Sequence, residues 1–234
     1  MRSRRTPSTP RVAPVHLEGL VPADPDGLDA GVLLEGVRLA DADLPPVNLA
    51  GAELAEVEVA RVSADDVDLI GARLREVSLA EVRFAALRAA RADWRDSQLS
   101  GRVGLLDAHE GEWRSVILTG CKIDFLSLRG ARVEDVLVTG CTIGELDLTG
   151  ATVSRVRLAD TRVGTLEAHD LRSEHLDMRG AHLSGYCYPV AIDLLNRGLC
   201  TSKGVVTHSY KLAEWDEALK VAQSMESIKV LLKP

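Results

Sequence analysis

Between Val116 and Leu158 every fifth residue is a medium aliphatic: Leu118, Ile123, Leu128, Val133, Val138, Ile143, Leu148, Val153 and Leu158. Two residues before each sits a second small or aliphatic residue, beginning Val116, Cys121, Leu126 and Ala131. A period of five matches neither an amphipathic helix at 3.6 nor a strand at 2. It is an internal repeat, and a repeat of this kind decides the architecture before any local propensity does. The same pairing extends upstream from Val32 and Leu34 to Ser97 and Leu99, slips by one residue near Ser100, and resumes at Val103, Ala108 and Trp113. Downstream it continues through Val163, Ala168, Ser173, Met178 and Leu183.

The pattern resembles the pentapeptide-repeat family, whose loose consensus is A-(D/N)-L-x-x. The resemblance implies an all-β solenoid: a right-handed quadrilateral β-helix in which each pentad forms one side of a square coil. The central aliphatic and the residue two before it then point inward, and the other three face solvent. Fourteen pentad centres precede the slip and seventeen follow it. With four pentads to a coil there are between seven and eight coils. At a strand spacing of about 4.8 Å the solenoid is on the order of 35 Å long.

A narrow interior suits this composition. Aromatic residues make up only 3% of the chain, so the core must be built from Leu, Val, Ile and Ala rather than from large rings. Trp94 and Trp113 are the exceptions. They lie four pentads apart once the slip is counted, so they stack in adjacent coils, and Ala89 and Ala108, one pentad before each, supply room. Binding by the two indoles is the alternative to core packing. Gly101 and Gly104 flank the slip, where a lost residue must be absorbed at a corner. Cys121 and Cys141 are twenty apart and share one inward column, where they read as buried small hydrophobes rather than as a disulfide.

Residues 1–31 carry Pro, Arg and Asp without periodicity and read as a disordered leader, with a basic arm as the alternative. The repeat covers 32–185. From 186 to 234 the composition changes: all three tyrosines lie there, and Lys replaces Arg. This tail reads as short α+β structure, with a helix over Pro189–Arg197, a strand over Val205–Tyr210, a helix over Leu212–Ser224 and a strand over Ser227–Leu232. The order Tyr188-Pro189-x-Ala191-Ile192-x-Leu194-Leu195, Val206-Thr207-His208, Leu212, Glu217-Ala218 and Ser227-Ile228-Lys229-Val230 resembles the C-terminal end of zinc-type medium-chain alcohol and sorbitol dehydrogenases. That family's nucleotide site needs a Gly-rich turn, and its metal needs Cys, His and carboxylate ligands. Neither motif occurs, so no catalytic role passes to His208. The tail is expected to be a dehydrogenase-like fragment that caps the last coil, mediates a homodimer, or remains from a gene fusion.

No nucleophile–base motif appears in the repeat, and four cysteines without close pairing form no zinc pattern. His169, Asp170, Glu174, His175 and His182 are the densest polar cluster, but on a square helix they project from different sides. The chain is therefore read as non-enzymatic, without cofactor or metal. A formal charge of −7 argues against direct nucleic-acid binding, and no apolar run approaches the roughly 20 residues of a membrane span. Nothing resembles a secretory signal, so a cytoplasmic protein is expected. Function must lie on the outward residues. Glu56, Glu76 and Asp96 make an acidic stripe, and Arg75, Arg95 and Arg114 a basic stripe beside it. The expected role is a protein-interaction or structural scaffold with an unidentified protein partner. The resemblance also implies an alternative, since some pentapeptide-repeat proteins are acidic DNA mimics that bind DNA gyrase. Residues 34 to 185 hold 26 acids and 18 bases, acidic in sum but mixed in pattern.

Overall fold

The computed structural model describes residues 9–178, 197, 207–223 and 230–233. The chain divides into two compact units, Met1–Ser184 and Gly185–Pro234.

In the first unit the pentads wind into a parallel β-solenoid of about eight turns. Register follows the arithmetic of twenty. One wall stacks Leu33–Ala40, Glu53–Ala60, the first half of Arg73–Arg88, the first half of Asp93–Asp107, Glu112–Thr119, Arg132–Thr139 and Thr152–Ala159. A second stacks Ser63–Asp68, the later halves of the two long strands, Lys122–Ser127, Thr142–Asp147 and Arg162–Glu167. Parallel strands can stack this way because each coil returns the chain to the same corner one strand spacing further on.

The interior is a continuous column of side chains. Leu118, Ile123, Val133, Ile143 and Val153 are at most 2% exposed, and Leu128, Val138, Leu148 and Leu158 are also buried. Ring after ring excludes water, and this apolar burial is the main favourable term for the fold. Toward the C-terminal coil the column opens: Ala168, Leu171, Leu176 and Met178 are half-buried, and Ser173 is exposed. Among the described residues Arg172–Ser173 and Leu176–Met178 continue the strand pairing there. In the first three coils the column is loose, leaving an apolar void of about 60 Å³ lined by residues such as Leu34, Leu44, Val47, Leu54 and Phe84.

Corners turn through the left-handed region. Gly120, Gly130, Gly140 and Gly150 have φ of 61 to 67°, and each N–H donates to a carbonyl one coil on, as from Gly120 to Thr139. Asp41, Arg61, Arg91, Glu110, Asp160 and Asp170 hold the same conformation at equivalent corners. Glycine is favoured at such a φ but is not demanded where a Cβ has open space.

At the slip, Leu79 pairs with Leu99 but Val82 pairs with Gly101, so two residues, Ala80 and Glu81, oppose the single Ser100. This is a β-bulge in a parallel ladder. Glu81 bulges with φ 53°, and its N–H donates to Ser100 Oγ at 3.0 Å. Gly101 has φ 117°, and glycine is required there because a Cβ would lie 2.2 Å from the Val82 carbonyl oxygen.

The structure differs from a disordered leader over residues 9–31, while residues 1–8 lie outside the described residues. Val21–Pro22 pairs in parallel with Val37 and Arg38, and Ala23 N–H donates to Arg38 O at 2.8 Å. A 3₁₀ turn at Pro25–Gly27 follows, capped by the Asp24 carboxylate, and Ala23 and Leu28 pack on the core at the first coil. Residues 11–15 lie against the outer wall. The missing periodicity misleads because this segment is held through backbone groups and chain-end packing, neither of which needs a repeating side-chain pattern.

In the second unit, His208–Lys211 and Val230–Lys233 form a parallel two-stranded sheet. A 3₁₀ turn at Leu212–Glu214 and the helix Trp215–Gln223 connect them, giving a βαβ unit. Glu214 Oε2 accepts from the Lys211 N–H at 2.7 Å and fixes the helix entry. Ala218 is buried, while Leu212, Trp215 and Leu219 are exposed. The helix expected over Pro189–Arg197 falls outside the described residues except for Arg197.

Candidate functional site

Because the interior is filled by side chains, the outer columns are where this fold can do chemistry or recognition. Glu56, Glu76 and Asp96 occupy one corner column with Ser115, Asp135 and Arg155 in the following coils. All six have φ between 48 and 57°. The left-handed corner is a general device of this solenoid, so the conformation does not by itself mark a site. Glu56, Glu76 and Asp96 are exposed, and among the described residues none of them is ion-paired. The acidic run lasts three coils, breaks at Ser115, resumes at Asp135 and ends at a cation.

The basic stripe does not neutralise it. Arg95 pairs instead with Asp93 at 2.7 Å, and Arg114 with Glu134 at 3.4 Å. Elsewhere cross-coil pairs follow the stacking rule: Arg61 reaches Asp41, Arg73 reaches Glu53 and Arg38 reaches Glu58. Exposed pairs of this sort contribute only about 0–1 kcal/mol each.

The N-terminal segment lies along this acidic corner. Arg11 N–H donates to Asp135 Oδ1 at 2.9 Å, and Val15 N–H donates to Gln98 Oε1 at 3.2 Å. Ser115 Oγ donates to the Arg11 carbonyl at 3.5 Å. Between Arg11–His16 and the column residues Glu76, Asp96 and Ser115 remains a cleft of about 500 Å³. Nothing in the periodicity announces this contact. The signal available in the sequence is charge alone, arginines at 2, 4, 5 and 11 in a chain whose repeat carries a column of acids.

Asp135 is the most constrained member of the column. Arg155 donates to its two oxygens from Nε and Nη2, both at 2.7 Å, and also reaches Glu134. The Arg155 hydrogen bonds hold the Asp135 carboxyl below its usual range, against the opposing effect of burial, with help from the Arg11 N–H. A carboxyl lowered in the folded state adds stability that is fully present above its unfolded pKa, about 3.9 for aspartate, and is lost as pH falls through the folded value. Asp135→Asn is therefore expected to lose about 1–3 kcal/mol at neutral pH. In urea titrations the gap from the parent chain should close below about pH 4; a gap independent of pH would remove the ionic explanation.

Trp94 and Trp113 are 0% and 1% exposed, with ring centroids 5.4 Å apart and planes 32° from parallel. Their indole N–H groups have no hydrogen-bond partner among the described residues. They are core, with no face open to a ligand. Ala89 and Ala108 are fully buried. Cys121 and Cys141 are free buried thiols, and the Cys121 N–H meets Cys141 Sγ at 3.2 Å. The next residue of the column, Thr161, repeats the contact, its Oγ1 accepting from Cys141 N–H at 3.3 Å. The hydrogen bond to Cys141 and burial together push the Cys121 thiol up. The same contact draws the Cys141 thiol down to about 7, so the two sulfurs share one buried hydrogen bond that joins coils at a corner.

Of the polar cluster in the last coils, His169 pairs with Glu167 at 3.2 Å, and His182 lies outside the described residues. Among the described residues no three His, Cys, Asp or Glu side chains gather to hold a metal, and no helix is long and apolar enough to cross a membrane.

The pentad register, parallel stacked coils and two-residue inward ladder define a β-solenoid built of five-residue repeats in the first unit, and the second unit is a βαβ unit. No protein-family model matches the chain. Among solved structures it is similar to QnrB1, described as a plasmid-mediated fluoroquinolone resistance protein, at 16% identity and a TM-score of 0.26, covering 72% of this chain and 97% of that one. It is also similar to HetL, a pentapeptide repeat protein involved in heterocyst differentiation regulation from Nostoc sp. strain PCC 7120, at 13% identity and a TM-score of 0.20, covering 66% of this chain and 86% of that one. Among curated proteins the similarity is to dehydrogenases. Erythritol/L-threitol dehydrogenase of Mycolicibacterium smegmatis is 40% identical over 62 residues, 26% of this chain and 17% of the relative. Sorbitol dehydrogenase of Halalkalibacterium halodurans is 48% identical over 44 residues, 19% of this chain and 13% of the relative. The chain thus spans less than a fifth of the length of these relatives, in agreement with a tail that resembles one end of a dehydrogenase.

Proposed function

We propose that the protein is a non-catalytic scaffold that recognises extended, basic polypeptide along its acidic corner column. The observation that carries this reading is the N-terminal segment itself, which lies extended across successive coils and bonds to Asp135, Ser115 and Gln98. The column supplies carboxylates one coil apart, a spacing that suits recognition through backbone N–H groups and scattered cations. The N-terminal segment then acts as an internal competitor for the partner.

The test is a chain beginning at residue 21, titrated with a labelled peptide of residues 1–20. Saturable binding to the shortened chain, weaker binding to the full chain, and about tenfold loss in a Glu76→Lys, Asp96→Lys variant are expected. Equal binding to full and shortened chains, or no binding, overturns the proposal. Light scattering on the same material reports whether the chain is a homodimer through its tail; a dimer that persists after truncation at Ser184 excludes that route.

A second reading is an acidic DNA mimic acting on a topoisomerase such as gyrase. The three-coil acidic run and the net charge of −7 favour it. The interruption at Ser115 and the terminal Arg155 weigh against it, because a duplex mimic needs an unbroken negative stripe. Inhibition of gyrase supercoiling by the full chain would move this reading to first place. The tail, similar to a small end piece of polyol dehydrogenases, fits a fusion remnant or an association module rather than a dehydrogenase.

A further inference from the structure

The register slip builds a groove as well as a bulge. Beside Gly101 the outer wall holds a concavity of about 710 Å³. Arg83 and Arg102 line it in register, and Lys122 follows Arg102 one coil on. Successive members of this ladder stand about one strand spacing, ~4.8 Å, apart along the backbone. Among the described residues none of the three is ion-paired, although arginines elsewhere on the solenoid reach the carboxylate one coil away. The backbone does not demand cations in this column. Its other coils carry Asp43, Ser63, Thr142 and Arg162. Three stacked cations outside any ion pair are therefore a feature of these side chains rather than of the fold.

The walls of the groove suit an oxyanion. Ser100 and Thr119 bring hydroxyls, and Gly101 and Gly120 leave the backbone uncovered, while the Ser63 hydroxyl donates to Asp43. Ser100 Oγ accepts from the Glu81 N–H, which leaves its own proton to donate. Of the charged lining groups, Arg61 is committed to Asp41, and Glu81 is the single carboxylate. Asp43, Asp65 and Asp124 line the adjoining concavity, which shares Ser63, Arg83 and Arg102. An anion is thereby favoured on the Gly101 side, away from those three acids.

We propose that this groove binds a phosphorylated small molecule, with Arg83 and Arg102 clamping a diphosphate group. Two guanidiniums one coil apart match two phosphoryl groups in tandem, and forked N–H donors pair well with phosphate oxygens. The site is independent of the acidic corner, so either proposal can fail without the other.

The experiment is calorimetric titration of the full chain with sodium pyrophosphate at constant ionic strength. Saturable one-to-one binding is expected, with orthophosphate several-fold weaker. Arg83→Gln with Arg102→Gln should weaken pyrophosphate by about tenfold or more. Arg73→Gln, on another wall and paired to Glu53, should leave it unchanged. Circular dichroism melts of each variant show that the solenoid is intact. Absence of saturable binding, equal affinity in the double variant, or orthophosphate binding as tightly as pyrophosphate overturns the assignment.

Discussion

Trp113→Ala is expected to lower the free energy of unfolding by about 3–5 kcal/mol. Trp113 is 1% exposed and stacks against Trp94 in the coil before it. Truncation removes the indole from a column that cannot collapse sideways, since both walls are held by ladder hydrogen bonds. The resulting cavity sits mid-solenoid, where each coil contacts only its neighbours. The transition in guanidinium should therefore move to lower concentration and also broaden, as the two halves uncouple. Trp113→Phe should lose less because it keeps an aromatic plane against Trp94. The double variant Trp94→Ala, Trp113→Ala should lose less than the sum of the singles, by about 0.5–3 kcal/mol, because the partners share one contact. An unchanged midpoint for Trp113→Ala would mean that the indole pair does not hold the coils together.

The interior of this protein was legible because a five-residue period is a geometric statement. Each inward position repeats one side of the square, so Ile123 and Ile143 can be assigned to one column by counting. The lost residue near Ser100 was legible for the same reason, since counting fails there by one. The outward surface follows different physics. Arg11 and Val15 are held through backbone N–H groups that every residue except proline carries, so no side-chain pattern announces their contact with Asp135 and Gln98. The stacked cations could be found by arithmetic, because 83, 102 and 122 are nineteen and twenty residues apart. What arithmetic does not supply is their lack of partners or the groove beside them, both of which depend on side-chain placement. The acidic and basic stripes were visible as columns, but their pairing was not: Arg95 turns to Asp93 within its own strand rather than to Asp96.

Gly101→Ala is expected to destabilise the chain by about 3–5 kcal/mol, far more than its single added methyl suggests. The Cβ would sit 2.2 Å from Val82 O, 2.5 Å from Val82 N and 2.9 Å from Glu81 C, all backbone atoms of the adjoining coil. Its φ of 117° is also strained for any L side chain. Gly120→Ala is the control. Gly120 has φ 61° and open space where a Cβ would point, so it should lose only about 1 kcal/mol. If Gly101→Ala does not fold, the cause can still be isolated. The clash arises because the coil lost one residue and Ser100 must face two residues, Ala80 and Glu81. Inserting one residue after Ser100 in the Gly101→Ala chain restores the spacing of twenty and should recover most of the loss. Gly104→Ala, whose Cβ would lie 2.5 Å from Ala85 O, sits beyond the bulge in restored register, and the same insertion should not rescue it. Rescue of Gly104→Ala but not of Gly101→Ala would place the strain in the regular coil instead of at the slip. A rescued Gly101→Ala chain that no longer binds pyrophosphate would tie the Arg83–Arg102 groove to the missing residue, making the break in the repeat the origin of both the strain and the site.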